Sequence, residues 1–110
     1  PFYPGDGYVD IIGKDIYNIS YASKIWDIFR LISDLYPNKM LTLSENGGVP
    51  SMDKQWNAGA TWLWFMPWYD YNNDYTENYA HQHADIAWWK ASFSGDATIS
   101  LDELPKDLYR

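Results

Sequence analysis

The amino-acid sequence predicts an α/β fold with parallel strands, and within that class a partial (β/α)8 TIM barrel made of three βα units. Segments with strand character alternate with segments of helical period along the 110-residue chain. The strand-like segments are nearly continuous apolar runs, the pattern of parallel strands covered on both faces. The length fits as well: a whole barrel takes about 250 residues, so three of its eight units take roughly 94. Three parallel strands alone leave two open edges and an unfilled interior, so the chain is expected to be a piece of a larger domain. It shows no internal repeat, low-complexity tract or linker.

Each element has its own justification. Tyr8 to Tyr17 is short and rich in β-branched residues, and it follows a Pro-Gly-Asp-Gly turn, so it reads as a strand. From Tyr21 to Tyr36 the period changes. Ile25, Ile28, Phe29, Ile32, Leu35 and Tyr36 recur at helical spacing, with Ser20 as N-cap and Pro37 as stop. Lys39 to Ser44 is a second strand, ending abruptly at Glu45-Asn-Gly-Gly48. Ser51 caps a short helix over Met52 to Asn57, with Gly59 at its end, and Ala60 to Met66 makes a third strand. After a polar loop from Tyr69 to Tyr79, a last helix is expected from about His81 to Ala91. A turn at Ser94-Gly-Asp96 then leads into the tail.

Hydrophobic residues make up 46% of the chain, enough to bury a core and to argue against disorder. Eight Lys and Arg against fifteen Asp and Glu give a net charge of -7 and a pI near 4.4, a balance that repels phosphate backbones and anionic lipid surfaces. Nucleic acid is therefore a poor partner. The absence of cysteine excludes disulfides and thiolate zinc sites and leaves the redox compartment unread. The longest apolar run, Ala60 to Trp68, has nine residues, about half of what a membrane span needs. The opening Pro1-Phe-Tyr-Pro-Gly-Asp-Gly7 has neither a Met nor the basic and apolar stretches of a secretory leader. Residue 1 is accordingly expected to lie inside a larger protein, with any leader or lipid anchor upstream. Nothing in the sequence fixes an oligomeric state.

The strongest compositional signal is aromatic: 7 Trp, 10 Tyr and 4 Phe form 19% of the chain. Such rings suit stacking on the C–H faces of sugars, and they equally suit a core and interface rich in Trp. In a βα barrel the reactive groups sit at the carboxyl ends of the strands. Tyr17, Glu45 and Trp68 fall at or just past those ends. Glu45 is either a carboxylate held on a rigid strand end or the start of a solvated loop. Tyr17 either donates its hydroxyl to that carboxylate or packs at the rim. Asp15 shares the parity of Tyr17 and is placed to bond a sugar hydroxyl or an inward-facing partner.

Three segments in this order and spacing carry a resemblance: Val9-Asp-Ile-Ile-Gly-Lys-Asp-Ile-Tyr-Asn18, Leu41-Thr-Leu-Ser-Glu-Asn-Gly47 and Ala60-Thr-Trp-Leu-Trp-Phe-Met-Pro-Trp68. Together they resemble glycoside hydrolase family 26, over strands six to eight of that family's barrel and essentially the whole chain. The resemblance implies a retaining endo-β-1,4-mannanase acting on β-mannan, with Glu45 as nucleophile and Tyr17 as the tyrosine that orients it. It implies a tryptophan platform beneath the sugar being cleaved. Trp68 is the first choice and Trp64 the competitor, because Trp62, Trp64 and Trp68 share parity on an ideal strand and Pro67 disturbs the alternation. No cofactor and no metal is called for. Mixed-linkage glucan and β-1,3-xylan are alternative substrates of related enzymes.

The retaining template pairs the nucleophile with a second carboxyl, about 5 to 5.5 Å away, that protonates the leaving oxygen. In the family pattern this acid/base Glu closes the fourth strand, which precedes Pro1. The chain alone is thus expected to be inactive. The resemblance also implies a secreted, periplasmic or cell-surface location. From a different class, a noncatalytic carbohydrate-binding module would account for the acidic, Trp-rich composition, but such modules are usually β-sandwiches, and the helix at 21–36 speaks against that.

Other signals are weaker. His81-Gln-His83 hints at a metal, but alternate positions splay apart on a helix and no third ligand is obvious. Ser92 to Glu103 faintly echoes a calcium loop, yet Ala97 stands where a Gly is required, so a tight turn is the better reading. The acidic loop Asp70 to Glu77, with Tyr69, Tyr71, Tyr75 and Tyr79 interleaved, either lines a glycan cleft or is a solvated surface.

Overall fold

A computed structural model describes residues 3–69 and 81–109 of the chain. Most of the acidic tyrosine-rich loop, including Tyr71, Tyr75 and Tyr79, lies outside the described residues. Within them the order is β1 (Ile11–Tyr17), α1 (Ala22–Leu35), β2 (Met40–Gly47), α2 (Met52–Asn57), β3 (Phe65–Pro67) and α3 (Ile86–Phe93), followed by two short 3₁₀ turns. The strands form one sheet in the order β1-β2-β3, and both pairings are parallel. This is the predicted α/β class, and a parallel sheet with connecting helices rules out the β-sandwich alternative for this chain.

The core lies on one face of the sheet. Ile16 from β1, Leu41 and Leu43 from β2, Ile25 from α1, Met52 from α2, and Trp62 form one buried cluster with Val49 and Ala60. Phe29 of α1 meets Trp62 edge-on at a centroid distance of 4.8 Å. Trp62 also donates its indole N–H to Gln55 Oε1 (3.0 Å), whose own amide donates to Pro50 O (2.6 Å), so the buried polar groups of α2 and the third strand segment satisfy each other. The opposite face carries Gly13, Asp15 and Tyr17 of β1 beside Thr42 and Ser44 of β2.

Several boundaries differ from expectation for local reasons. β1 starts at Ile11 rather than Tyr8, because Asp6–Tyr8 winds into a 3₁₀ turn after Gly5, whose φ of 110° favours glycine. The N-cap of α1 is Tyr21, not Ser20, and no side chain caps it; its carbonyl accepts from Lys24 N and Ile25 N. Ser51 does precede α2, but its side chain makes no capping bond, and Met52 N donates instead to Ser92 Oγ on α3 (3.0 Å). The third strand is shorter than expected, since only Phe65–Pro67 joins the ladder. Its upstream half is still tied to β2 through Leu63 N to Leu41 O (2.8 Å) and Leu43 N to Trp64 O (3.0 Å). α3 begins at Ile86 rather than near His81, because the Asp85 carboxylate accepts from Trp88 N (2.7 Å) and fixes the N-cap there.

Candidate active site

β2 does not end at Ser44; it runs through Glu45 to Gly47, and Glu45 therefore sits inside the ladder. On an ideal strand Glu45 would share a face with Leu41 and Leu43 and point into the helix-covered core. A register shift prevents this. Lys14 pairs with Leu43 and Asp15 with Glu45, so β2 carries one residue more than β1 at this level. From the other side, Leu43 pairs with Phe65 and Asn46 with Pro67, so the same extra residue is present relative to β3. A bulge of this kind re-aims the side chains beyond it. Glu45 is thereby brought to the face of Asp15 and Tyr17, while Asn46, in register with Ile16, is fully buried.

Gly13 makes room for the bulge. A Cβ at this position would run into Ser44 Oγ and lie 3.1 Å from Ser44 Cβ. Ser44 Oγ and Thr42 Oγ1 are hydrogen-bonded at 3.0 Å, so the two hydroxyls directly below the carboxylate are paired with each other. Above them the Tyr17 hydroxyl donates to Glu45 Oε2 at 3.0 Å. A donor from a neighbouring strand fixes the orientation of the carboxylate.

The remaining predicted residues are placed unequally. Asp15 is exposed and is the register partner of Glu45, which sets two carboxylates side by side on one face. Trp68 lies one residue past β3, half-buried; its N–H donates to Asn46 O (2.9 Å) and its ring lies 4.9 Å from that of Tyr69. Trp64 opens on a different cavity of about 810 Å³, walled by Trp56, Trp62, Phe65, Trp89 and Phe93, to which neither Glu45 nor Tyr17 contributes. The shared parity of Trp62, Trp64 and Trp68 does not survive. Trp62 and Phe65 both turn toward the helices, so the alternation breaks at the bend around Leu63, ahead of Pro67.

His83 enters the site although sequence periodicity assigned it to a helix. It precedes α3, and its ring meets Tyr17 edge-on. No group of three or more His, Asp or Glu suited to a metal occurs among the described residues. The calcium-like segment is occupied otherwise: Ser92 is buried against α2, and Ser100 bonds both Asp102 (2.6 Å) and Glu103 (2.6 Å). The Ser100 hydroxyl thus holds both carboxyls below their usual range. No helix among the described residues is long and apolar enough to cross a membrane.

In βα barrels the reactive groups sit at the carboxyl ends of the parallel strands, and glycoside hydrolysis generally uses a pair of carboxyl groups. The family model described as Glycosyl hydrolase family 26 matches residues 1–101, and the chain belongs to that family. Among curated relatives, a mannan endo-1,4-beta-mannosidase of Thermothelomyces thermophilus is 29% identical over 94% of this chain and 20% of its own length. Mannan endo-1,4-beta-mannosidase B of Piromyces sp is 32% identical over 89% of this chain and 16% of its own. The chain thus spans about a fifth or less of these relatives. Among solved structures, the family 26 domain of an endo-beta-mannanase/endo-beta-glucanase from Prevotella bryantii superposes with a TM-score of 0.75 at 36% identity, over 92% of this chain and 28% of that one.

Proposed function

We propose that this chain supplies strands six to eight of a (β/α)8 barrel in a retaining endo-β-1,4-mannanase, with Glu45 as the nucleophile. The observation that carries this reading is the 3.0 Å hydrogen bond from the Tyr17 hydroxyl to Glu45 Oε2 at the carboxyl end of the central strand. The names of the curated relatives supply the substrate class. In this mechanism the Glu45 carboxylate attacks the anomeric carbon as the glycosidic bond breaks, and the leaving oxygen takes a proton from a second carboxyl. Water, deprotonated by that same carboxyl, then displaces Glu45 and frees the product. Tyr17 keeps the carboxylate aimed, Trp68 stacks beneath the sugar, and Asp15 bonds a sugar hydroxyl, whereas Trp64, which lines a separate cavity, is set aside as the platform.

The acid/base carboxyl belongs to a strand outside this chain, so residues 1–110 alone do not turn over. A polymeric substrate places the enzyme outside the cytoplasm, in a secreted, periplasmic or cell-surface location. A second substrate reading, cleavage of another β-glycan such as mixed-linkage glucan or β-1,3-xylan, is favoured only by the glucanase in the name of the Prevotella relative. Two measurements on the complete enzyme test the assignment. Glu45→Ala is expected to lower mannan hydrolysis by roughly 10⁴-fold or more, and an activated 2-fluoro-mannoside is expected to leave its adduct on the peptide containing Glu45. Activity within threefold of the unmodified enzyme, or an adduct on another carboxylate, sinks it.

A further inference from the structure

His83 stands at the same level of the sheet as Tyr17, and three observations fix it there. Its imidazole meets the phenol ring edge-on, with centroids 5.6 Å apart and planes at 73°. Its carbonyl accepts from Gly48 N at 3.0 Å, which ties the segment before α3 to the end of β2. Its ring also occupies the space that a side chain at position 47 would fill. A Cβ on Gly47 would lie 2.8 Å from His83 Cγ and 2.9 Å from His83 Cβ, and closer still to Nδ1. Gly47 is the register partner of Tyr17, and its carbonyl accepts from Asn18 N (2.9 Å). Glycine at 47 is thus what lets the imidazole seat against the tyrosine.

We propose that His83 is a positioning residue for the reaction: seated on Gly47, it holds the Tyr17 ring so that the hydroxyl points at Glu45. The chain of contact runs from His83 through Tyr17 to the Glu45 carboxylate, so His83 acts through the tyrosine. The inference rests on Glu45 being the nucleophile. An edge-on aromatic contact of this kind weighs about a factor of three to ten in rate when its loss lets the aimed group drift.

The test is a double-mutant cycle in the complete enzyme, with kcat and KM measured on a soluble mannan oligosaccharide. His83→Ala is expected to lower kcat about three- to tenfold with KM within twofold, and His83→Phe, which keeps an aromatic edge, to restore most of the loss. Gly47→Ala, whose new Cβ would meet the imidazole, is expected to lower kcat in the same direction as His83→Ala. In the Tyr17→Phe background, His83→Ala is expected to have no further effect. An equal loss with and without the Tyr17 hydroxyl overturns the inference, as does a loss confined to KM. If Gly47→Ala fails to fold, the cycle between positions 17 and 83 still decides. The two layers separate cleanly. A fully active Glu45→Ala removes the underlying reading, whereas an inactive Glu45→Ala beside an unaffected His83→Ala removes this inference alone.

Discussion

The lower and upper halves of β2 are built from the same backbone and behave as opposites. From Met40 to Leu43 the strand is in continuous register with β1, and Leu41, Thr42 and Leu43 are buried. From Glu45 to Gly47 the register has slipped by one residue against both neighbours, and the side chains are a carboxylate, an amide and none. The lower half anchors and the upper half presents. The extra residue falls between them, so the strand that supplies the rigidity also delivers the reactive group, which is how a charged side chain escapes the core that strict alternation would have assigned to it.

Truncating the lower half gives the largest effect on stability. Leu43 is fully buried in the main cluster, and Leu43→Ala is expected to cost about 2 to 5 kcal/mol of stability while leaving kcat per folded molecule nearly unchanged. Denaturant melts of the complete enzyme, paired with active-site titration, check both parts. A large fall in kcat per folded molecule would show that the two halves are not separable.

Altering the upper half reverses the pattern. Tyr17→Phe removes only the hydroxyl that donates to Glu45, and a hydrogen bond to a charged group is worth about 1.5 to 3 kcal/mol, or roughly 10- to 150-fold in kcat. The loss of stability is expected to be no larger than the same value of about 1.5 to 3 kcal/mol. Kinetics and calorimetry on one preparation suffice, and an unchanged kcat would mean that the bond plays no part in turnover.

The boundary itself is probed by Gly13→Ala, whose new methyl meets Ser44 at the bulge. Overpacking of this kind costs about 1 to 3 kcal/mol, and here it is expected to appear in both stability and kcat. Adding Ser44→Gly removes the atoms in the way and should recover most of both. Failure of the second change to rescue the first would show that the bulge does not depend on the space above Gly13.

Much of this was legible in the sequence because local patterns have local causes. Apolar runs bounded by turns marked the three strands, the 3.6-residue period marked α1, and Gly47-Gly48 marked a strand exit that left Tyr17 and Glu45 at neighbouring ends. The errors cluster where a distant residue decides. Ser51 reads as a cap, but the N–H at the start of α2 is taken by Ser92, forty positions away in sequence. The helical stretch from His81 looked continuous until Asp85 captured Trp88 N and left His83 outside it.

By itself, then, the sequence determined the class of fold, the order of its elements and the identity of the residue pair at the strand ends, since period, composition and turn chemistry are written in neighbouring residues. Only the tertiary structure decided which way those residues face. Whether Glu45 points into the core or away from it depends on one extra residue measured against two other strands. Whether Trp62 and Phe65 turn to the same side depends on a bend set by pairing with β2. Whether the His83 ring can seat against Tyr17 depends on a space left empty at Gly47. Register and free volume are properties of several segments packed together, so no single stretch of chain encodes them.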